Sequence, residues 1–147
     1  MSERAEPFSR DAFRLFRPIP TRWMDNDTYG HVNNVTYLSY FDTAVNGWLI
    51  ENGVLSLTAS EEVFLVVETT CSYFSEVTFP DLIHAGVRVA RLGRSSVTYD
   101  IALFRNDDPQ AAAQGRFVHV LVERDSRRPA AIEGARRTLL ESILVTA

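Results

Sequence analysis

The sequence predicts an α+β domain in which one curved antiparallel sheet wraps around a single long buried helix. Three observations predict it. Apolar residues recur at helical spacing from Asn33 to about Asn52, four later segments alternate with a period of two, and the turns between those segments suit antiparallel neighbours. The 147 residues match one domain, long enough to bury roughly two thirds of the surface its unfolded chain exposes, without a disulfide or metal staple. We divide the chain into a loose N-terminal tail over residues 1–11 and a single domain over residues 12–147.

The segment from Ala12 to Trp23 mixes apolar and basic residues, and Pro18 and Pro20 interrupt it, so it reads as an edge strand with an irregular end. In the helical segment Val35, Leu38, Phe41, Val45, Trp48 and Leu49 form a stripe. Tyr37, Tyr40 and Ala44 widen it to most of the circumference, and Gly53 closes the helix. Val63 to Phe74 opens with apolar residues on both faces and reads as a strand. Ile83, Ala85, Val87 and Val89 then alternate with Leu82, His84, Gly86 and Arg88. Val97, Tyr99, Ile101 and Leu103 alternate in the same way, as do Val118, Val120 and Val122 against Phe117, His119 and Leu121. Phe79-Pro80-Asp81, Leu92-Gly93-Arg94 and Asn106-Asp107-Asp108-Pro109 supply turns short enough for hairpins. Beyond a turn at Pro129, the four-residue spacing of Ala135, Leu139 and Ile143 predicts a terminal helix. A single sheet leaves open edges, and edge-to-edge pairing of two copies removes them, so a homodimer or homotetramer is expected.

Composition excludes several function classes. The hydrophobic share of 46% and charged share of 23% are those of a globular protein, and no apolar run is long enough to cross a bilayer, so no membrane insertion is expected. A net charge of -4 argues against a nucleic-acid partner. Every basic residue is arginine, which rules out a Schiff-base lysine. Met1 to Arg10 lacks the apolar core of a secretory signal, and Cys71 has no second cysteine to pair with, so a cytoplasmic protein is expected. His84 and His119 lie on separate strands without ligand spacing around them, and neither a metal nor a cofactor is expected.

The chemistry is expected between the first strand and the helix, in the stretch from Arg22 to Asn34. A helix start offers unpaired backbone N–H groups and partial positive charge, which stabilise an oxygen that becomes anionic during reaction. Gly30 lets the chain approach a ligand closely. Asp27 can serve there as general base or nucleophile, although Asp and Asn also act as turn formers and caps. Asp25, two residues away, reads as a structural residue and a reserve base. His31 serves equally well as a substrate contact or as a structural hydrogen-bonding group, and Tyr37 is close enough to the helix start to touch an acyl group.

Asp25-Asn26-Asp27-Thr28-Tyr29-Gly30-His31-Val32-Asn33-Asn34-Val35-Thr36-Tyr37, followed by Tyr40-Phe41-Asp42, resembles the signature of the 4-hydroxybenzoyl-CoA thioesterase-like family of hotdog-fold acyl-CoA thioesterases. Arg91-Leu92-Gly93-Arg94-Ser95-Ser96 is similar to that family's hairpin, and Asp81 falls near its second acidic position. The resemblance implies a hotdog fold and hydrolysis of an acyl-CoA thioester. It implies that Asp27 is the catalytic carboxylate and that the Asn34 backbone N–H, with a weaker share from that of Asn33, polarises the carbonyl. Gly30, His31 and Tyr37 would contact the acyl substrate, and Arg94, Ser95 and Ser96 would hold coenzyme A. Aromatic, medium-chain and long-chain acyl groups all fit, as does an acyl-carrier-protein thioester. A hydratase of related fold carries Asp-x-Asn-Pro-x-His, but the proline is missing here and His31 stands four positions after Asp27. The other alternative is a non-catalytic acyl-CoA-binding module.

Overall fold

A computed structural model, which describes residues 5–56 and 60–145, turns these patterns into a six-stranded sheet and, among the described residues, two α-helices. In chain order they are β1 (Leu15–Pro20), α1 (Asn34–Glu51), β2 (Glu62–Thr69), β3 (Ser72–Tyr73), β4 (Leu82–Leu92), β5 (Ser96–Arg105), β6 (Ala113–Glu123) and α2 (Gly134–Glu141). The spatial order is β1-β4-β5-β6-β2, all antiparallel, and β3 pairs with β6 beyond the end of β2. This is the expected α+β hotdog architecture. The segment read as one strand from Val63 to Phe74 carries a bulge at Val67 and is divided into β2 and β3 at Thr70 and Cys71, although beyond the bulge both parts keep the same register against β6.

Alternation decides which residues meet the helix. Ile83, Ala85, Val87 and Val89 of β4, Val97, Tyr99, Ile101 and Leu103 of β5, and Phe117 and Leu121 of β6 are buried in one core with α1. From the helix, Tyr37, Tyr40, Phe41, Ala44, Val45, Trp48 and Leu49 enter that core, positions three and four apart that make a single face. Val35 and Leu38, expected in the stripe, lie on the outer side and are exposed. The helix is therefore covered on one side only.

One connection differs from the hairpin expectation. β4 and β5 are joined by the tight 93–95 turn as predicted, and β5 and β6 are also neighbours. β3 and β4, however, are not neighbours: β3 lies on one side of β6 and β4 pairs with β1 and β5. Residues 74–81 must cross the end of the sheet to connect them, and this crossing later forms one wall of the site.

The N-terminal segment is not loose from Phe8 onward. Phe8 and Phe13, in edge-to-face contact, close a second apolar cluster with Ala102, Phe104 and Ala111 on the outer face of the sheet. The Phe8 N–H donates to Gln114 Oε1, and the Ala111 N–H donates to the Phe8 carbonyl. Burial of Phe13 and partial burial of Phe8 favour docking over a solvated tail. At the other terminus α2 ends at Glu141. Ile143, expected within this helix, therefore lies beyond its end, where its carbonyl accepts from the Val89 N–H.

His119 is the polar exception in the core. It is 1% exposed and boxed in by the rings of Phe64, Tyr99 and Phe117. Burial pushes its imidazole down to about 4. The unfolded chain takes up that proton nearer 6.5, so stability is complete above that value and falls as pH drops toward 4. The shift corresponds to about 3 kcal/mol over the window. Melting midpoints at about pH 7 and about pH 5 should therefore diverge in the wild type and converge in His119→Phe. An equal acid-induced drop in both proteins would assign the lability to other groups.

Candidate active site

The turn before α1 is built from local side-chain chemistry. Asn26 and Val32 pair as an isolated antiparallel bridge, and between them the Asp27 N–H donates to the His31 carbonyl at 2.9 Å. The Gly30 N–H returns to the Asp27 carbonyl at 3.1 Å, with Gly30 at a φ of +87°, a conformation that costs glycine no steric strain. Asp27 Oδ1 accepts the Tyr29 N–H at 2.8 Å, an Asx turn that fixes the carboxylate while leaving it partly solvent-accessible.

The helix start follows immediately. Asn33 is the N-cap, and its side chain accepts the Val35 N–H at 2.9 Å. The Asn33 N–H itself donates to the Asp25 carbonyl at 2.9 Å, so the weaker of the two expected oxyanion donors is already engaged. The Asn34 N–H, the first of the helix proper, has no acceptor among the described residues. It lies where the partial positive charge of the α1 terminus is greatest.

The crossing segment supplies the opposite wall. The Val32 N–H donates to the Val77 carbonyl at 2.7 Å, and the Thr78 hydroxyl donates to the Gly30 carbonyl at 2.7 Å. The Tyr73 hydroxyl donates to the Asn34 carbonyl at 3.1 Å. Between these elements lies a cleft of about 190 Å³ lined by His31, Asn34, Tyr37, Tyr73 and Glu76. Tyr37 closes its inner end, edge-to-face with Tyr73 at 5.1 Å. Burial pushes the Tyr37 hydroxyl up, a backbone hydrogen bond from Val77 opposes this, and the charges of Cys71, Glu76 and Asp27 add to the rise.

Asp25 and Asp81 are engaged in hydrogen bonds within the fold. Asp25, 3% exposed, accepts from Arg22 and from the Tyr40 hydroxyl; burial resists its ionisation, but these donors hold its carboxyl below the usual carboxylate range. Asp81 is likewise buried and bonded to Thr78, Arg105 and Asn106. Arg94, Ser95 and Ser96 sit on the β4–β5 hairpin, at the end of β4 away from Leu82 and Thr21, about 33 Å along the strand. One subunit therefore brings together Asp27, Gly30, His31, Asn34 and Tyr37, but not the hairpin. Among the described residues no cluster of His, Cys, Asp or Glu could hold a metal, and no helix is long and apolar enough to cross a membrane.

Tyr73, Glu76 and the brace from Thr78 were absent from the sequence reading. Their only signal was that they precede the Phe79-Pro80 turn, which does not indicate that the chain crosses to the helix start.

A carboxylate held by an Asx turn a few residues before a helix-start N–H that has no acceptor among the described residues suits attack on an activated carbonyl, and on this fold the arrangement fits the class of hotdog thioester hydrolases. The chain belongs to the Thioesterase-like superfamily, whose model matches residues 21–140. It is 24% identical over 127 residues to the long-chain acyl-CoA thioesterase FadM of Escherichia coli, covering 86% of this chain and 96% of FadM. A crystal structure of the PA5185 protein from Pseudomonas aeruginosa superposes with a TM-score of 0.93 at 52% identity, over 97% of this chain and 99% of that one. The Synechocystis 1,4-dihydroxy-2-naphthoyl-CoA thioesterase Slr0204 shares the fold, with a TM-score of 0.78 at 17% identity, over 87% of this chain and 96% of that one.

Proposed function

We propose that this protein hydrolyses acyl-CoA thioesters, with Asp27 as the catalytic carboxylate and the Asn34 N–H as the oxyanion donor. The observation that carries this reading is the Asn34 N–H at the start of α1, without an acceptor among the described residues, at a cleft that His31 of the Asp27 turn also lines. The thioester carbonyl oxygen accepts from Asn34, and charge that develops on it is stabilised by the helix terminus. Asp27 either takes a proton from the water that attacks the carbonyl carbon, or attacks that carbon itself to form a mixed anhydride that water then hydrolyses. In both cases the coenzyme A thiolate leaves and the free acid is released. A thiolate leaves readily, so one carboxylate and one oxyanion donor suffice.

The working form is a dimer joined through the β2 edges. Leu65, Val66 and Val67 are consecutive exposed apolar residues on that edge, an arrangement that favours pairing with a second strand. Antiparallel pairing about a two-fold axis turns the second sheet end for end. Its Arg94–Ser96 hairpin then lies at the same end as the first subunit's Asp27, where it can take the coenzyme A phosphates.

The test is release of free thiol from short, medium, long and aryl acyl-CoA thioesters and from an acyl-carrier-protein thioester, with sedimentation of the same sample. Repeated turnover by a dimer is expected. A folded protein that binds coenzyme A and releases no thiol from any of them would be a non-catalytic acyl-CoA-binding module.

A further inference from the structure

Four N–H groups open α1, those of Asn33, Asn34, Val35 and Thr36. Asn33 donates to the Asp25 carbonyl, Val35 to Asn33 Oδ1 and Thr36 to the Asn33 carbonyl, each at 2.9 Å. Among the described residues only the Asn34 N–H of this group has no acceptor. Which N–H stays free therefore depends on where the Asp25 carbonyl is held.

Asp25 is held from several sides. Its carboxylate accepts from the Arg22 backbone N–H at 2.9 Å, from Arg22 Nε at 3.1 Å and Nη2 at 2.9 Å, and from the Tyr40 hydroxyl at 2.8 Å. Tyr40 lies in the second turn of the same helix that Asn34 begins. Contacts thus run from α1 through Tyr40 to Asp25, and from the Asp25 carbonyl through Asn33 back to α1. The turn carrying Asp27 hangs inside this ring, because the Asn26–Val32 and Asp27–His31 pairs lie between its ends.

We propose that Asp25 and Tyr40 are positioning residues, which engage the Asn33 N–H and thereby fix the free Asn34 N–H and the Asp27 carboxylate relative to each other. This inference rests on the hydrolase reading above. Both side chains are buried, at 3% and 4% exposure, so they act through the backbone of the turn and not on substrate. A small misplacement between a carboxylate and an oxyanion donor lowers the rate of the chemical step more than it weakens binding.

Tyr40→Phe removes one hydroxyl and keeps the ring that fills the core. Its expected result is a fall in kcat of about tenfold or more with KM changed by less than about twofold. Adding Tyr40→Phe to Asp27→Asn should cause little further loss, because a brace for Asp27 has nothing to position once the carboxylate is gone. An unchanged kcat, a loss confined to KM, or full additivity with Asp27→Asn would overturn the positioning role while wild-type turnover leaves the hydrolase reading standing. No thiol release by the wild type overturns that reading and this one together. Should Tyr40→Phe fail to fold, Arg22→Gln removes donors to the same carboxylate from its solvent side. It must then show the same kcat loss, and an unchanged kcat there refutes the proposal.

Discussion

Gly115→Ala is expected to lower the melting midpoint by roughly 6–12 °C, the equivalent of about 3 kcal/mol for a domain of this size. A Cβ on Gly115 would stand 1.7 Å from the Thr70 carbonyl oxygen and 2.7 Å from its carbon. Both are backbone atoms, and Thr70 is tied to β6 twice, through its N–H to the Arg116 carbonyl at 2.9 Å and through its hydroxyl from the Arg116 N–H at 3.1 Å. Thr70 cannot yield without breaking those bonds. Phe41 of α1 closes the remaining side at 3.0 Å. The consequence reaches the site, because the chain runs from Thr70 into β3, where Tyr73 donates to the Asn34 carbonyl. Gly53→Ala is the control: nothing lies within 4 Å of an added Cβ there, and only a φ of +72° is strained, at about 1 kcal/mol. A Gly115→Ala midpoint matching that of Gly53→Ala would mean that the strand does not fold over β6 as described.

The core-facing alternation of β4 and β5 was legible in the sequence because each strand puts one face against a single helix, so burial writes itself into every second residue. The site's first residues were legible for a similar reason. An Asx turn at Asp27, a positive φ at Gly30 and a cap at Asn33 are interactions between residues a few positions apart, and each has its own residue preference. What escaped are contacts between distant positions. The Tyr73–Asn34 and Thr78–Gly30 bonds join residues 39 and 48 apart, and the docking of Phe8 on Gln114 spans 106. No periodicity encodes such pairings.

The engagement of the Asn33 N–H shows the same limit. Asn33 and Asn34 are identical in type and adjacent, one capping the helix and the other opening it. Only the fold reveals that the Asp25 carbonyl occupies one N–H and leaves the other open. Val35 and Leu38 fail differently. Helical spacing assigns faces relative to one another, and a helix covered on one side leaves apolar residues on the other that periodicity counts as core.

The most direct measurement compares kcat, KM and melting midpoint for the best acyl-CoA substrate in wild type and Asp27→Asn. Asparagine keeps an oxygen that accepts the Tyr29 N–H, so the turn from Asp27 to His31 and the midpoint should persist, within about 2 °C. It loses the negative charge, and an amide neither takes the proton of an attacking water nor acts as a carboxylate nucleophile. The account predicts a kcat lower by about 10²–10⁴-fold with KM nearly unchanged. An Asp27→Asn protein that turns over thioester at the wild-type rate would show that the carboxylate at this helix start does not carry the reaction.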